Sequence, residues 1–287
     1  MIQLSSNPYD LRETLYSGQA FRWTEIKPSR TGSVCTHEAV INGHRIKLWE
    51  LEGTINAICS SLNDHQLEKL ICSYLRLDDD MPKIYRTLDS DELISNAISK
   101  YKGLHILRQD PWECLVTFIC SANNNIPRIR QIVDKLCKNC GEPETDSEGE
   151  YYPFPDPKQI AQYGELNLRK LGLGFRAKYV YGSSVRLLGE DIDLFKFRND
   201  SYQNSLEALI KFPGVGDKVA NCVLLFSMDK LDAFPVDVWI KRVLRESYLT
   251  DSKVKTPDSK LREWAQFKFG TYAGYANQYL FHKRRLS

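Results

Sequence analysis

Two periods of apolar residues divide the chain. Near the start, Leu11 and Leu15 lie four apart behind Asp10, and Glu13 completes capping-box spacing, so a short helix is predicted that Gly18 can end. Phe21-Arg22-Trp23 then begins a strand-like stretch. Residues 37–51, HEAVINGHRIKLWEL, alternate about Asn42-Gly43, which predicts a β-hairpin. Asp64 to Leu75 returns to helical spacing. From about residue 108 helical periods dominate. Asp110-Pro111 sets an N-cap before a proline at the first helical position, and WECLVTFIC continues it. Residues 126–137 and 158–187 carry the same period, whereas Glu142 to Glu150 is acidic and aperiodic and predicts an exposed loop. Residues 203–247 read as helix, turn, helix, turn, helix. The predicted class is α+β: an N-terminal antiparallel β-sheet domain over residues 1–107, and a mostly α-helical part over 108–287.

Composition narrows the function classes. A chain of 287 residues that is 42% hydrophobic and 26% charged can bury a core without covalent staples. It has no apolar run long enough to span a bilayer, and MIQLSSNPYDLRETL lacks the basic and apolar stretches of a secretory signal. The expectation is an intracellular protein without membrane contact, in the cytoplasm or nucleoid of a prokaryote or the nucleus of a eukaryote. The eight cysteines should then stay reduced. Cys137 and Cys140 form a lone C-x-x-C that no second pair or nearby histidine completes as a zinc set, and Cys114 and Cys120 read as buried small hydrophobes. Net charge is only +2, but it is unevenly spread: residues 238–287 hold eleven Lys/Arg against four Asp/Glu, and the remainder holds 28 against 33. A basic segment suits a polyanion, or simply a solvated helix.

The chemistry concentrates in LIKFPGVGDKVANCVLLFSMDKLDAFPVDVWIKRVL, residues 209–244. Two apolar helix faces flank Phe212-Pro213-Gly214-Val215-Gly216, whose glycines permit positive φ and close backbone approach. Amides at the second helix's start then point outward as an anion site for a DNA phosphate. Lys218 falls in the first turn of that helix, where the macrodipole opposes an ammonium and favours the neutral amine of a Schiff-base nucleophile. The plainer reading is a surface lysine on phosphate. Asp237, after Pro235-Val236, reads as an N-cap whose ionised carboxylate could also face a developing cation.

FPGVGDK, with an aspartate nineteen residues after its lysine in FPVDVW, resembles the helix-hairpin-helix–GPD superfamily of DNA glycosylases. SGQAFRW (17–23), LRQDPWECLVTFICSANNNIPRI (107–129), LRKLGLGFRAKYV (168–180) and AGYANQYLF (273–281) resemble, in order, motifs of the eukaryotic-type 8-oxoguanine DNA glycosylase family. The resemblance spans nearly the whole chain and puts the hairpin at 203–228. No cysteine follows Cys222, which excludes the four-cysteine iron–sulfur cluster that endonuclease III relatives carry after the aspartate.

The resemblance implies a bifunctional glycosylase/AP-lyase acting on damaged double-stranded DNA as a monomer. Lys218 would be the nucleophile and Asp237 the catalytic carboxylate. It implies a Gly18 carbonyl that accepts from N7–H of the oxidised purine, and Cys222 and Phe281 as the walls of the base pocket. Asn277 holds the position of the family's glutamine and Gln278 follows it; both lie on the Phe281 face, so either amide could read the base edge, Gln278 with the longer reach. Asn123 would fill the hole left by the extruded base, and Arg128 and Arg176 would receive the orphaned cytosine. Phe175 stands as the aromatic wedge where the family often has tyrosine. Gly214 and Gly216 would bind phosphate. A structural cation, monovalent or divalent, would sit on the carbonyls of Ile210, Phe212 and Val215, and no cofactor would be required for catalysis. Other readings are a glycosylase for another damaged base and a non-enzymatic helix-hairpin-helix DNA-binding module.

Overall fold

Five antiparallel strands form a sheet in the order β1-β5-β4-β3-β2, from β1 (Ile2–Ser5), β2 (Thr24–Ile26), β3 (Thr36–Ile41), β4 (His44–Leu51) and β5 (Thr54–Ile58). The computed structural model describes residues 1–5, 8–26, 34–249 and 256–286. The hairpin read at Asn42-Gly43 closes as a two-residue loop, with Ile41 paired to His44 and both turn residues at positive φ. One sheet face buries Ala39, Ile41, Ile46, Leu48, Ile55 and Ala57 against Leu67 and Ile71 of the helix Asp64–Tyr74. Asn63 and Gln66 start that helix with a reciprocal capping box. Each fully buried aliphatic side chain here contributes about 1.5–3 kcal/mol.

A second core gathers the helices. The Pro111–Cys120 helix is buried along its length, capped by Asp110 as its sequence demands, and it packs on the helix Asp217–Ser227. Around this pair lie Ile126–Cys140, Ala177–Gly189, Tyr202–Ile210, Val238–Ser247 and Ala273–Arg285. The helices Met81–Leu88 and Glu92–Lys100 also bury their apolar faces in this second core. The change of core therefore falls near residue 80. Among the described residues no helix is long and apolar enough to cross a membrane.

Several local expectations need correction. Glu142–Glu150 is not a plain loop: β6 (Glu144–Asp146) pairs with β7 (Gly149–Tyr151), because Arg45 of β4 binds Asp146 and the carbonyls of Gly149 and Glu150 while Lys47 pairs with Glu148. The stretch 158–187 breaks at Gly164, Gly172 and Gly174, all at positive φ, and regular helix resumes at Ala177. Phe21-Arg22-Trp23 precedes strand β2 rather than forming it, and Trp23 is buried with its indole N–H donated to Tyr74. The first helix ends at Leu15 with Tyr16 as C-cap, so Gly18 does not cap it. Asp10 accepts from the Glu13 amide, but the Glu13 carboxylate turns to His282 at 2.5 Å instead of closing the box. Some C-terminal basic residues are internally paired: Lys241 with Asp258 and Arg284 with Glu246 inside the segment, Lys268 with Asp91 and Arg262 with Asp217 outside it. Lys253 and Lys255 of that count lie outside the described residues.

The two cores are locked by charge. Arg76, 2% exposed at the end of the sheet-side helix, pairs with Asp79 and with Asp229 of the helical part, and Asp229 also takes Arg108 Nε at 2.7 Å. Removing Asp229 leaves Arg76 with Asp79 alone and Arg108 with Asp78 alone, so buried guanidinium charge is only partly compensated. Asp229→Ala should lower unfolding stability by about 3 kcal/mol, read as a lower urea midpoint at unchanged slope.

Candidate active site

A cleft of about 410 Å³ opens between the first helix's exit, the Asn124–Pro127 turn and the helices Asp217–Ser227 and Ala273–Arg285. Its walls bring together Gly18, Lys218, Cys222, Asp237 and Phe281 with both amides, Asn277 and Gln278. Each element has a local reason. Pro213 and Gly214 turn the chain between Tyr202–Ile210 and Asp217–Ser227, and Gly214 has φ +76 with a Cβ position only 2.4 Å from Tyr179 Cγ. Gly216 has φ −101, so only one of the two hairpin glycines needs the left-handed region. Both glycines are exposed at the start of the second hairpin helix, as a phosphate contact would require.

Lys218 is half-buried in the first turn of that helix. Its Nζ donates to Ser121 Oγ at 2.8 Å and lies 5.1 Å from the centre of the Phe118 ring. That ring is itself stacked on Phe226. Among the described residues the amine makes no ion pair with Asp237, although the two line one cleft. Cys222, one turn on, is 3% exposed, and burial pushes its thiol up to about 11, so it is a neutral, apolar wall.

Asp237 caps Val238–Ser247 by accepting the Ile240 amide at 2.8 Å. Capping was read correctly, but the helix start does not dominate its ionisation. Burial raises the carboxyl above the ordinary aspartate value, against the lowering by the Ile240 and Trp239 amides and by Lys218. A carboxyl shifted by burial and lining the same cleft as an amine is a candidate for proton transfer there.

Gly18, at φ +89, faces Phe281: a Cβ there would lie 3.1 Å from that ring and 3.2 Å from Ile126 Cδ1. Here a side chain would both strain the backbone and narrow the slot. The two amides are anchored differently. Asn277 Nδ2 donates to Pro235 O at 2.9 Å, tying it to the loop that carries Asp237, and Gln278 Nε2 donates to Ser17 O at 3.3 Å, beside Gly18. Both line the cleft, and the choice between them stays open.

Asn123, Arg128, Phe175 and Arg176 form a neighbouring rim rather than part of the slot. Asn123 is exposed with φ +49. Phe175 is 47% exposed, and Arg128 donates to Gly172 O at 3.3 Å. Arg176 is less open than the other three. It is 7% exposed and its guanidinium holds the carbonyls of Ala122, Asn123 and Leu173 while lying 4.5 Å from the Phe175 ring. In this arrangement it braces the Asn123 turn. Sequence reasoning missed Ser121, Phe118 and Phe21 in the cleft; Ser121 is 97 residues from its lysine, so no spacing could reveal the pair. At the hairpin, Phe212 O accepts the Val215 amide at 3.1 Å, so the implied cation carbonyls belong to one tight turn. Among the described residues no group of three His, Cys, Asp or Glu could hold a metal ion.

Comparison with known proteins agrees with this geometry. A family model described as "8-oxoguanine DNA glycosylase, N-terminal domain" matches residues 1–115, and one described as "HhH-GPD superfamily base excision DNA repair protein" matches residues 116–266. The N-glycosylase/DNA lyase OGG1 of Arabidopsis thaliana is 30% identical over 293 residues, covering 98% of this chain and 78% of that one. The Clostridium acetobutylicum 8-oxoguanine glycosylase/lyase, solved with double-stranded DNA containing cytosine opposite 8-oxoguanine, superposes with TM-score 0.87 at 29% identity, covering 97% and 92% of the two chains. A structure titled MBOgg1 in complex with a low-affinity DNA ligand gives TM-score 0.88 at 33% identity, with the same coverage. The chain belongs to the HhH-GPD superfamily of base excision DNA repair proteins. Within it, the family is that of the 8-oxoguanine DNA glycosylases with lyase activity.

The raised Asp237 carboxyl carries a stability signature. Between the unfolded and the higher folded value, the folded state binds more protons, so stability falls as pH rises through that window. Asparagine caps helices equally well and has no proton to lose. Asp237→Asn should therefore melt at or above wild type near neutral pH, with the margin shrinking below the ordinary aspartate range, in paired thermal melts.

Proposed function

We propose that this protein excises 8-oxoguanine from duplex DNA, preferably opposite cytosine, and then nicks the strand through a lysine Schiff base. One observation carries the reading: Lys218, the buried Asp237 carboxyl, Cys222 and Phe281 all line one cleft of about 410 Å³. The target nucleotide must leave the stack to reach it. Stacking on Phe281 is worth about 1–3 kcal/mol and does not discriminate guanine from its oxidised form. Discrimination needs a contact at N7, which is a donor only in the lesion, and the Gly18 backbone in the cleft wall, free of a side chain, is suited to supply an acceptor. An amide from Asn277 or Gln278 reads the opposite edge.

The lone pair of neutral Lys218 attacks C1′. The C1′–N9 electron pair leaves with the base, while Asp237, as carboxylate, offsets positive charge on the sugar, takes the proton shed by the amine and passes it to the departing base. Opening of the sugar ring gives the imine. Loss of the acidified C2′ proton then expels the 3′-phosphate by β-elimination. Asn123, Arg128, Phe175 and Arg176 meet the opposite strand. Exposed amides beside Gly214 and Gly216 take a phosphate, and carbonyls of Ile210, Phe212 and Val215 hold a structural cation. A monomer suffices, since every group lies in one chain.

Borohydride with an 8-oxoguanine:cytosine duplex should trap a covalent adduct that Lys218→Gln abolishes. Single-turnover excision should be fastest opposite cytosine among the four bases. An adduct that survives Lys218→Gln, or equal release of guanine, would reject the assignment.

A further inference from the structure

The Ser121 hydroxyl has one proton, and that proton is already placed: Oγ donates to Phe118 O at 2.7 Å. Toward Lys218 Nζ, 2.8 Å away, Oγ can then act only as an acceptor. The direction of that bond is fixed, with the amine as donor. A neutral primary amine has two N–H bonds and one lone pair in tetrahedral array. Anchoring one N–H on Ser121, above the Phe118 ring, restricts rotation about the end of a long flexible side chain. Nζ is then left to present its lone pair toward the cleft shared with Cys222 and Asp237. A Lys218–Asp237 ion pair would do the opposite, since an ammonium has no lone pair.

We propose that Ser121 is a positioning residue that orients the Lys218 amine for attack on the deoxyribose carbon; this rests on the function proposed above. Its place in the fold gives it a second lever. Ser121 is the C-cap of the Pro111–Cys120 helix and directly precedes the turn whose Ala122 and Asn123 carbonyls Arg176 grips. A shift of that turn on an opposing strand is transmitted by one peptide to the acceptor that holds the nucleophile. Alignment of the amine is thereby coupled to the rim that meets the other strand.

The test uses the full chain and a duplex with a preformed abasic site, so that it does not depend on which base is excised. Borohydride adduct formation is timed at saturating protein, and duplex affinity is measured separately by anisotropy. Ser121→Ala should slow adduct formation about tenfold while leaving the dissociation constant within about twofold. Ser121→Thr, which keeps an acceptor hydroxyl, should recover most of the rate. Ser121→Gly lacks the same oxygen and replaces the alanine variant if that one folds poorly. Unchanged adduct kinetics, or a rate loss wholly matched by weaker binding, would overturn the proposal. A wild-type chain that forms no adduct would instead overturn the function reading.

Discussion

The packing of Asp217–Ser227 against Pro111–Cys120 is the constraint on which the site depends. Phe118 and Phe226 stack across that contact, and Phe21 meets Phe118 edge-on from the sheet side. This aromatic floor does two jobs. It puts an apolar ring against the Lys218 amine, and it fixes the spacing between the helix that bears Lys218 and the turn that begins at Ser121. Three polar groups of the cleft gather around it: the Lys218 amine from one helix, the Ser121 acceptor from the other, and the Asp237 carboxyl from the loop that follows. An apolar floor under a few convergent polar groups raises the strength of each interaction above it.

Behind the nucleophile's helix, polar groups finish what the floor begins. Asp217 pairs with Arg262, Arg262 donates to Tyr202, and Tyr202 donates to Asn221 Oδ1 at 2.7 Å. The same Asn221 oxygen accepts the Phe234 amide. The network thus ties the segment leading to Asp237 back to the helix that bears Lys218. Its members are mutually satisfied, so the relative placement of the two functional groups is held from the rear without occupying the cleft.

Legibility in the sequence follows the range of the interaction. Signals that act over a few residues were readable: the Asn42-Gly43 hairpin, the Asp110-Pro111 helix start, the Pro213-Gly214 turn and the Asp237 cap all stand where local rules put them. Errors arose where partners come from afar. The acidic 142–150 segment has no period of its own and becomes a hairpin only because Arg45 and Lys47 await it, about a hundred residues earlier. Glu13 left its capping box for His282. In each case a charged group found a better partner through the fold than through its neighbours. Gly18 shows the same division: its need for positive φ was local, but its contact with Phe281 is not.

That contact has a consequence for how the protein is made. Gly18 and Phe281 meet from far apart in the sequence, beside the bond between Glu13 and His282 across 269 residues. A nascent chain emerging from the ribosome carries the sheet, the hairpin and the lysine long before the wall that would sandwich a base. Until the Ala273–Arg285 helix docks, the cleft around Lys218 lacks its Phe281 side. Docking of that helix is therefore the event that encloses the cleft, set by chain topology.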